Sequence, residues 1–77
     1  MSTKISEKEL RKKREWFEEM YTEIKKNGAN FVYVRVASAA IWTTSYEFNS
    51  DDRIVFLYNE GKLAGIVYDI MDIEDLY

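Results

Sequence analysis

The sequence predicts a small α+β domain in which an amphipathic N-terminal helix packs on a four-stranded antiparallel meander. Apolar residues recur with a helical period in the first third of the chain and alternate with polar residues after it. Turn-forming residues separate the alternating segments. Because 77 residues cannot build two cores, residues 1–77 are predicted to form a single domain.

The predicted helix spans residues 7–26. Ser6 and Glu9 stand at the spacing of a capping box, in which each side chain accepts the other residue's backbone N–H. Asn27 and Gly28 follow the last turn, and Gly28 can adopt the left-handed conformation that ends a helix. The apolar stripe repeats every seven residues and consists of Leu10, Phe17 and Ile24.

Four strands are predicted after the helix, at residues 31–36, 41–48, 53–58 and 63–68. In the second strand, the alternation places Trp42, Thr44, Tyr46 and Phe48 on the same side. The small residues 37–40 indicate a turn, a bulge or a bend, and Gly65 indicates a close approach by another backbone.

The C-terminal segment is predicted as a short helix over residues 70–76. Ile70, Ile73 and Tyr77 stand at helical spacing there, although a fifth strand also fits the segment. With a fifth strand, the whole chain also fits a small barrel of the SH3-like or Sm-like type, which is the alternative architecture.

The residues that the chain lacks exclude most kinds of catalysis. There is no histidine and no cysteine, so the usual bases, nucleophiles and transition-metal ligands are missing. The three glycines have no phosphate-loop spacing. We therefore expect a protein that is not an enzyme and has no metal or other cofactor. The lack of cysteine fits a cytoplasmic location, and the apolar runs are too short to span a membrane.

Aromatic residues are more numerous than one covered sheet face can bury. They make up 16% of the chain, and both faces of the first strands carry large apolar side chains. A soluble monomer rarely exposes so much apolar surface, so a homodimer is expected. The residues predicted to form the interface are Trp16, Phe31, Tyr33 and Trp42.

Charge is distributed unevenly along the chain. The first fourteen residues contain six cations and two carboxylates, a net +4, which leaves −7 for the rest of a chain whose total is −3. The basic helix segment is residues 8–14. The acidic surface predicted to bind a partner consists of Asp51, Asp52, Asp69, Asp72, Glu74 and Asp75.

Together these features predict a small non-enzymatic binding protein. In general character it resembles the proteins with which bacteriophages and mobile elements inhibit a host factor. The expected partner is a host protein with a basic groove, which the acidic surface enters as a mimic of nucleic acid. One alternative is direct nucleic-acid binding through residues 8–14 and exposed aromatics. Another is a structural subunit of a larger assembly.

Overall fold

One helix and two small antiparallel sheets make up the fold, which confirms the predicted α+β class. The computed structural model describes residues 7–77. The helix α1 spans Glu7–Lys26, the bounds that the sequence predicts. The predicted capping box depends on Ser6, which lies outside the described residues.

Six strands follow α1, and they form two three-stranded sheets. The first sheet has the order β2-β1-β6 and the second the order β3-β4-β5. A one-turn 3₁₀ helix, η1, covers Ile70–Asp72 between β5 and β6. The strands are β1 Val32–Val36, β2 Ala39–Thr43, β3 Ser45–Phe48, β4 Val55–Asn59, β5 Lys62–Val67 and β6 Ile73–Leu76.

A Schellman motif ends α1 at the position that the sequence indicates. Gly28 has a φ of 94°, in the left-handed region. Its N–H donates to the carbonyl of Lys25 at 3.0 Å, and the N–H of Ala29 donates to the carbonyl of Ile24 at 3.4 Å. These two bonds satisfy carbonyl groups that the helix end would leave without partners.

The predicted second strand, residues 41–48, is wrong as one element because the chain changes sheet at Thr44. β2 pairs with β1, whereas β3 pairs with β4. Thr44 donates its N–H to the carbonyl of Tyr58 at 2.8 Å, which ties the bend to the second sheet. The change of sheet places Trp42 outside and Tyr46 against the core, so the predicted common side for these two residues is also wrong.

The strands therefore do not form the single four-stranded meander that the sequence predicts. The chain passes from the first sheet to the second at a corner between β2 and β3. The last strand, β6, then pairs with β1 in the first sheet. This connectivity is closer to the small-barrel alternative than to a four-stranded meander.

The C-terminal segment contains a strand, which confirms the alternative prediction of a further strand there, and the predicted helix over residues 70–76 is wrong apart from the single turn of η1. Asp69 caps η1 by accepting the N–H of Met71 at 3.0 Å. In β6, Ile73 pairs with Val36 and Asp75 with Arg35, which leaves the intervening residue as a bulge. The bulge lets both Ile73 and Leu76 face the core although they are three residues apart, a spacing that imitates a helix.

The core lies between the two sheets and under α1. Phe17 is fully buried, and its ring meets Tyr46 edge-to-face at 4.9 Å and Phe48 at 5.7 Å between centroids. These contacts attach α1 to the second sheet, while α1 also contacts β1 and β6 of the first. The buried apolar residues are Phe17, Tyr21, Val32, Val34, Val55, Leu57, Val67, Ile70, Ile73 and Leu76.

The close approach predicted at Gly65 involves a side chain rather than a backbone. A Cβ atom on Gly65 would lie 3.1 Å from Cδ1 of Ile41, which projects from β2 in the other sheet. A side chain at position 65 would therefore have to push Ile41 aside. Gly65 lets the inner faces of the two sheets approach each other at this point.

The turn between β1 and β2 holds two consecutive non-glycine residues in the left-handed region. Val36 pairs with Ala39, so Ala37 and Ser38 form a two-residue hairpin turn. Their φ angles are 51° and 68°, which correspond to a type I′ turn that favours asparagine and glycine. The corresponding turn between β4 and β5 consists of Glu60 at a φ of 52° and Gly61 at a φ of 84°, so glycine occupies its second position.

Replacing Ser38 by glycine is expected to stabilise the protein by about 0.5–1 kcal/mol, because glycine removes the Cβ atom that the left-handed conformation crowds. The melting temperature should rise by about 2–8 °C in a thermal melt followed by circular dichroism. Ser38→Ala is the matched control, since alanine keeps the Cβ atom and should bring no gain. An equal rise in both variants would contradict this explanation.

Among the described residues, the structure contains no helix with the length and apolar character that a membrane crossing requires.

Candidate functional site

Four aromatic side chains gather on the outer face of the first sheet. We call this group, which consists of Phe31, Tyr33, Trp42 and Tyr77, the aromatic patch. The valines at 32 and 34 in β1 point into the core, so Phe31 and Tyr33, which alternate with them, point outward. Trp42 is the register partner of Tyr33 on β2. Tyr77 is held opposite Tyr33 on the other side, where their backbones exchange hydrogen bonds of 2.7 and 3.0 Å.

The rings of the aromatic patch contact one another in a continuous row. The indole of Trp42 stacks on Tyr33 at 5.1 Å with an angle of 19° between the planes. Phe31 lies 5.6 Å from Trp42, and Tyr77 meets Tyr33 edge-to-face at 5.6 Å. Trp42 is 54% exposed and Tyr77 is 52% exposed. None of the four rings belongs to the hydrophobic core, so the patch is a surface of its own.

One end of the aromatic patch carries charged groups. Arg35 follows Tyr33 on the same face of β1, and its Nε lies 3.2 Å from a carboxylate oxygen of Glu74. Asp75 is the register partner of Arg35 on β6. Since one cation stands beside two carboxylates, this end of the patch carries a net negative charge.

Three of the four predicted interface aromatics lie in the patch, and Trp16 does not. Trp16 is half-buried on α1 and packs against the core, with the Nζ atom of Lys13 at 4.3 Å from its ring centroid. Tyr77 was missed by the sequence analysis because helical spacing groups it with Ile73. The strand places Tyr77 outward, next to the buried Leu76. Alternation from Leu76 was the signal that could have found it.

The six predicted acidic residues lie in two segments that are separated in the sequence and adjacent in space. Asp51 and Asp52 belong to the loop between β3 and β4, and the others lie between residues 69 and 75. The N–H of Ile70 donates to the carbonyl of Arg53 at 2.8 Å, which brings the two segments side by side. Asp72 is exposed.

Five of these six carboxylates take part in local contacts. Asp52 pairs with Arg14, and Glu74 pairs with Arg35. The remaining three accept backbone N–H groups, from Arg53 at 3.0 Å, Met71 at 3.0 Å and Leu76 at 2.8 Å; they are Asp51, Asp69 and Asp75. Two neighbouring cations reduce the negative field of this surface, and the backbone contacts give three of its carboxylates a structural role.

The basic segment 8–14 is partly used by the fold. Lys13 donates from Nζ to the carbonyl of Ile73 at 2.8 Å, which joins α1 to β6. Arg14 lies over the ring of Phe48 at 4.7 Å and pairs with Asp52. Burial lowers the pKa of Arg14, but the hydrogen bond and charge of Asp52, together with Glu18, outweigh burial and raise it above its ordinary value. The exposed cations of this segment are Lys8, Arg11 and Lys12.

The core contains one buried polar chain. The hydroxyl of Thr43 lies 2.7 Å from the carbonyl of Val32 and 2.9 Å from the hydroxyl of Tyr21. Burial raises the pKa of Tyr21, against the opposing effect of the hydrogen bond to Thr43. Burial, followed by the charge of Glu18, also raises the pKa of Tyr46. Both phenols are therefore held in their neutral form and act as structural groups.

The main grooves of the described part of the chain are open, and most of them are lined by charged side chains of both signs. One, of about 460 Å³, runs between the start of α1 and the loop at residues 50–52 and is lined by the Arg14–Asp52 pair. Within residues 7–77, no three acidic side chains come close enough together to hold a metal ion. These grooves offer no constellation of groups that resembles an acid–base pair in a closed cleft.

The chain was also compared with known proteins. No family model, no curated protein and no solved structure matches it. The function is therefore inferred from the chain's own residues, and the aromatic patch is a feature of the surface that core packing does not explain.

Proposed function

We propose that this protein is a non-enzymatic binding protein that contacts a partner protein through the aromatic patch. The observation that carries the proposal is the exposure of Trp42 and Tyr77 within a row of four rings that lies outside the core. Contiguous apolar patches on soluble proteins commonly mark interaction sites. Tryptophan and tyrosine are also the residues that most often dominate binding energy at interfaces.

The charges at one end of the aromatic patch indicate the chemistry of the partner. Asp75 adds a carboxylate beside the Arg35–Glu74 pair, so a partner with basic side chains next to an apolar pocket fits this surface. The apolar pocket would receive the indole of Trp42. A host protein with a basic groove, as the sequence predicts, has this chemistry.

In its most specific form, the proposal is that the partner is a host factor in the cytoplasm and that binding inhibits it. The composition supports this form: the chain is small, acidic and rich in aromatic residues, with no histidine and no cysteine. The inhibitors that bacteriophages and mobile elements produce against host factors have this general character. The same composition supports the non-enzymatic part of the proposal.

Imitation of nucleic acid by the acidic surface has less support than the aromatic patch. Arg14 and Arg35 neutralise two of the six carboxylates, and three others are bound to backbone N–H groups. Direct binding of nucleic acid through residues 8–14 is also less supported, because Lys13 and Arg14 are engaged within the fold.

The test compares variants of two exposed aromatic residues. The immobilised protein is used to capture proteins from two portions of a bacterial lysate, one treated with nuclease and one untreated. Each captured protein is then purified and titrated calorimetrically. Trp42→Ala is expected to weaken binding by about 30-fold, the effect of losing about 2 kcal/mol at a central interface residue. Tyr68→Ala is the control, because Tyr68 is 71% exposed but lies outside the aromatic patch, and it should change the dissociation constant by less than about twofold.

Equal affinities of the two variants for every captured protein would contradict the proposal, as would a wild-type protein that captures nothing. Capture that is lost when the lysate is treated with nuclease would indicate nucleic acid as the partner instead. Circular dichroism spectra of both variants should match the wild type, since neither side chain belongs to the core.

A further inference from the structure

The second sheet also carries an apolar outer face. In this sheet Val55, Leu57 and Val67 point into the core, so the residues that alternate with them point outward. Leu63 is 55% exposed. We call the outward apolar residues of this sheet the second apolar face; they are Phe56, Tyr58, Leu63 and Ile66. None of these four residues packs against the core.

The second apolar face and the aromatic patch lie on opposite sides of the molecule. The inner faces of the two sheets meet each other, as the contact between Ile41 and Gly65 shows. The outer faces of two packed sheets therefore point in opposite directions. A partner on the aromatic patch would leave the second apolar face uncovered.

We propose that a second copy of this chain covers the second apolar face, so that the protein is a two-fold symmetric dimer. The charge pattern supports this occupant. Glu47 is the one charged residue at the outward positions of β3, β4 and β5, and it stands at the margin, where it accepts a hydrogen bond from Tyr58 at 3.4 Å. Two copies of the face therefore meet without opposing charges at the centre, as a self-complementary interface requires.

The size of the face sets the expected strength of the dimer. Three strands of up to six residues cover roughly 20 Å by 14 Å, from a rise of about 3.3 Å per residue and a spacing of about 4.8 Å between strands. Two such faces have a combined plane area of roughly 560 Å², and even with side-chain relief they bury less than the roughly 1,200 Å² of the smallest standard interfaces, so the contact belongs to the weak, transient class. We therefore expect a weak dimer with a dissociation constant of roughly 100 µM. This expectation does not depend on the function proposed for the aromatic patch.

The dimer has a functional consequence. Because the second apolar face is central, the two aromatic patches of the dimer point away from each other and toward solvent. Such a dimer presents two equal binding sites, and a partner with two copies of the target would be held by both.

The test is sedimentation equilibrium of the full chain from about 5 µM to about 500 µM, a range that brackets a dissociation constant of roughly 100 µM. The wild type is expected to change from monomer to dimer over this range. Leu63→Lys should remain a monomer throughout, and Leu63→Ser should weaken the dimer by at least about tenfold. Trp42→Lys is the control: it places the same charge on the aromatic patch and should dimerise like the wild type.

Three outcomes would overturn the proposal. They are a wild type that is monomeric at the highest concentration, a Leu63→Lys variant that still dimerises, and a dimer that Trp42→Lys disrupts. The last would place the second copy on the aromatic patch. Thermal melts establish that each variant is folded, and the exposure of Leu63 and Trp42 makes both substitutions compatible with folding. Because partner binding is tested at Trp42 and dimerisation at Leu63, each proposal can fail without the other.

Discussion

Replacing Phe17 by alanine is expected to lower the free energy of unfolding by about 3–5 kcal/mol. Phe17 is fully buried and joins α1 to the second sheet through Tyr46 and Phe48. A domain of 77 residues has a total stability of roughly 4–12 kcal/mol, so the loss is a large part of it. Urea unfolding and thermal melts should show a melting temperature at least about 10 °C lower.

The matched control for this prediction is Phe31→Ala. Phe31 is an aromatic residue of the same type that lies outside the core and contacts Trp42 on the outer face. Its removal should cost about 1 kcal/mol or less, as for a surface aromatic pair. Similar losses in the two variants would mean that α1 is not anchored by Phe17 as the structure shows.

The second large effect is expected at Thr43, where valine should destabilise the fold by about 1–3 kcal/mol. The hydroxyl of Thr43 has one proton, and at 2.7 Å it donates this proton to the carbonyl of Val32. The hydroxyl of Tyr21 must therefore be the donor in its 2.9 Å contact with Thr43. Thr43→Val leaves the Tyr21 hydroxyl buried without an acceptor, which is the costly case.

Tyr21→Phe should cost less, about 0.5–1.5 kcal/mol, because Thr43 keeps its bond to Val32. In the Tyr21→Phe background, Thr43→Val no longer leaves a hydroxyl without a partner. The four proteins of this double-mutant cycle, measured by urea unfolding, should therefore show a coupling of about 1 kcal/mol. Strict additivity of the two substitutions would refute the assigned direction of the hydrogen bond.

The candidate surface could be predicted in part from the sequence. The alternation in β1 alone places Phe31 and Tyr33 opposite the buried valines, and both lie in the aromatic patch. Trp42 joins them through the pairing of β1 with β2. The sequence could not show whether Trp16 belongs to the exposed surface or to the margin of the core. Its position in the helical pattern fits both, and only the packing of the sheets against α1 decides between them.

The acidic and basic segments show why charge in the sequence is a weak guide to a binding surface. Arg14 and Asp52 are far apart in the sequence and form an ion pair in the fold. Lys13, which composition places in a basic run, is used to bond the carbonyl of Ile73. The contacts between distant residues determine which charges remain available to a partner.

The sequence by itself determined the helix at residues 7–26, its termination by the left-handed Gly28, and the α+β class. These features depend on interactions within a few residues of chain. The tertiary structure alone decided that the chain bends at Thr44 and that the C-terminus is a strand. Ile73 and Leu76 have helical spacing, but the open edge of β1 supplies hydrogen bonds and a core that an isolated short helix lacks, and a bulge adapts the spacing to a strand. The position of Tyr77 in the aromatic patch follows from that pairing, so the candidate site was completed by a long-range contact.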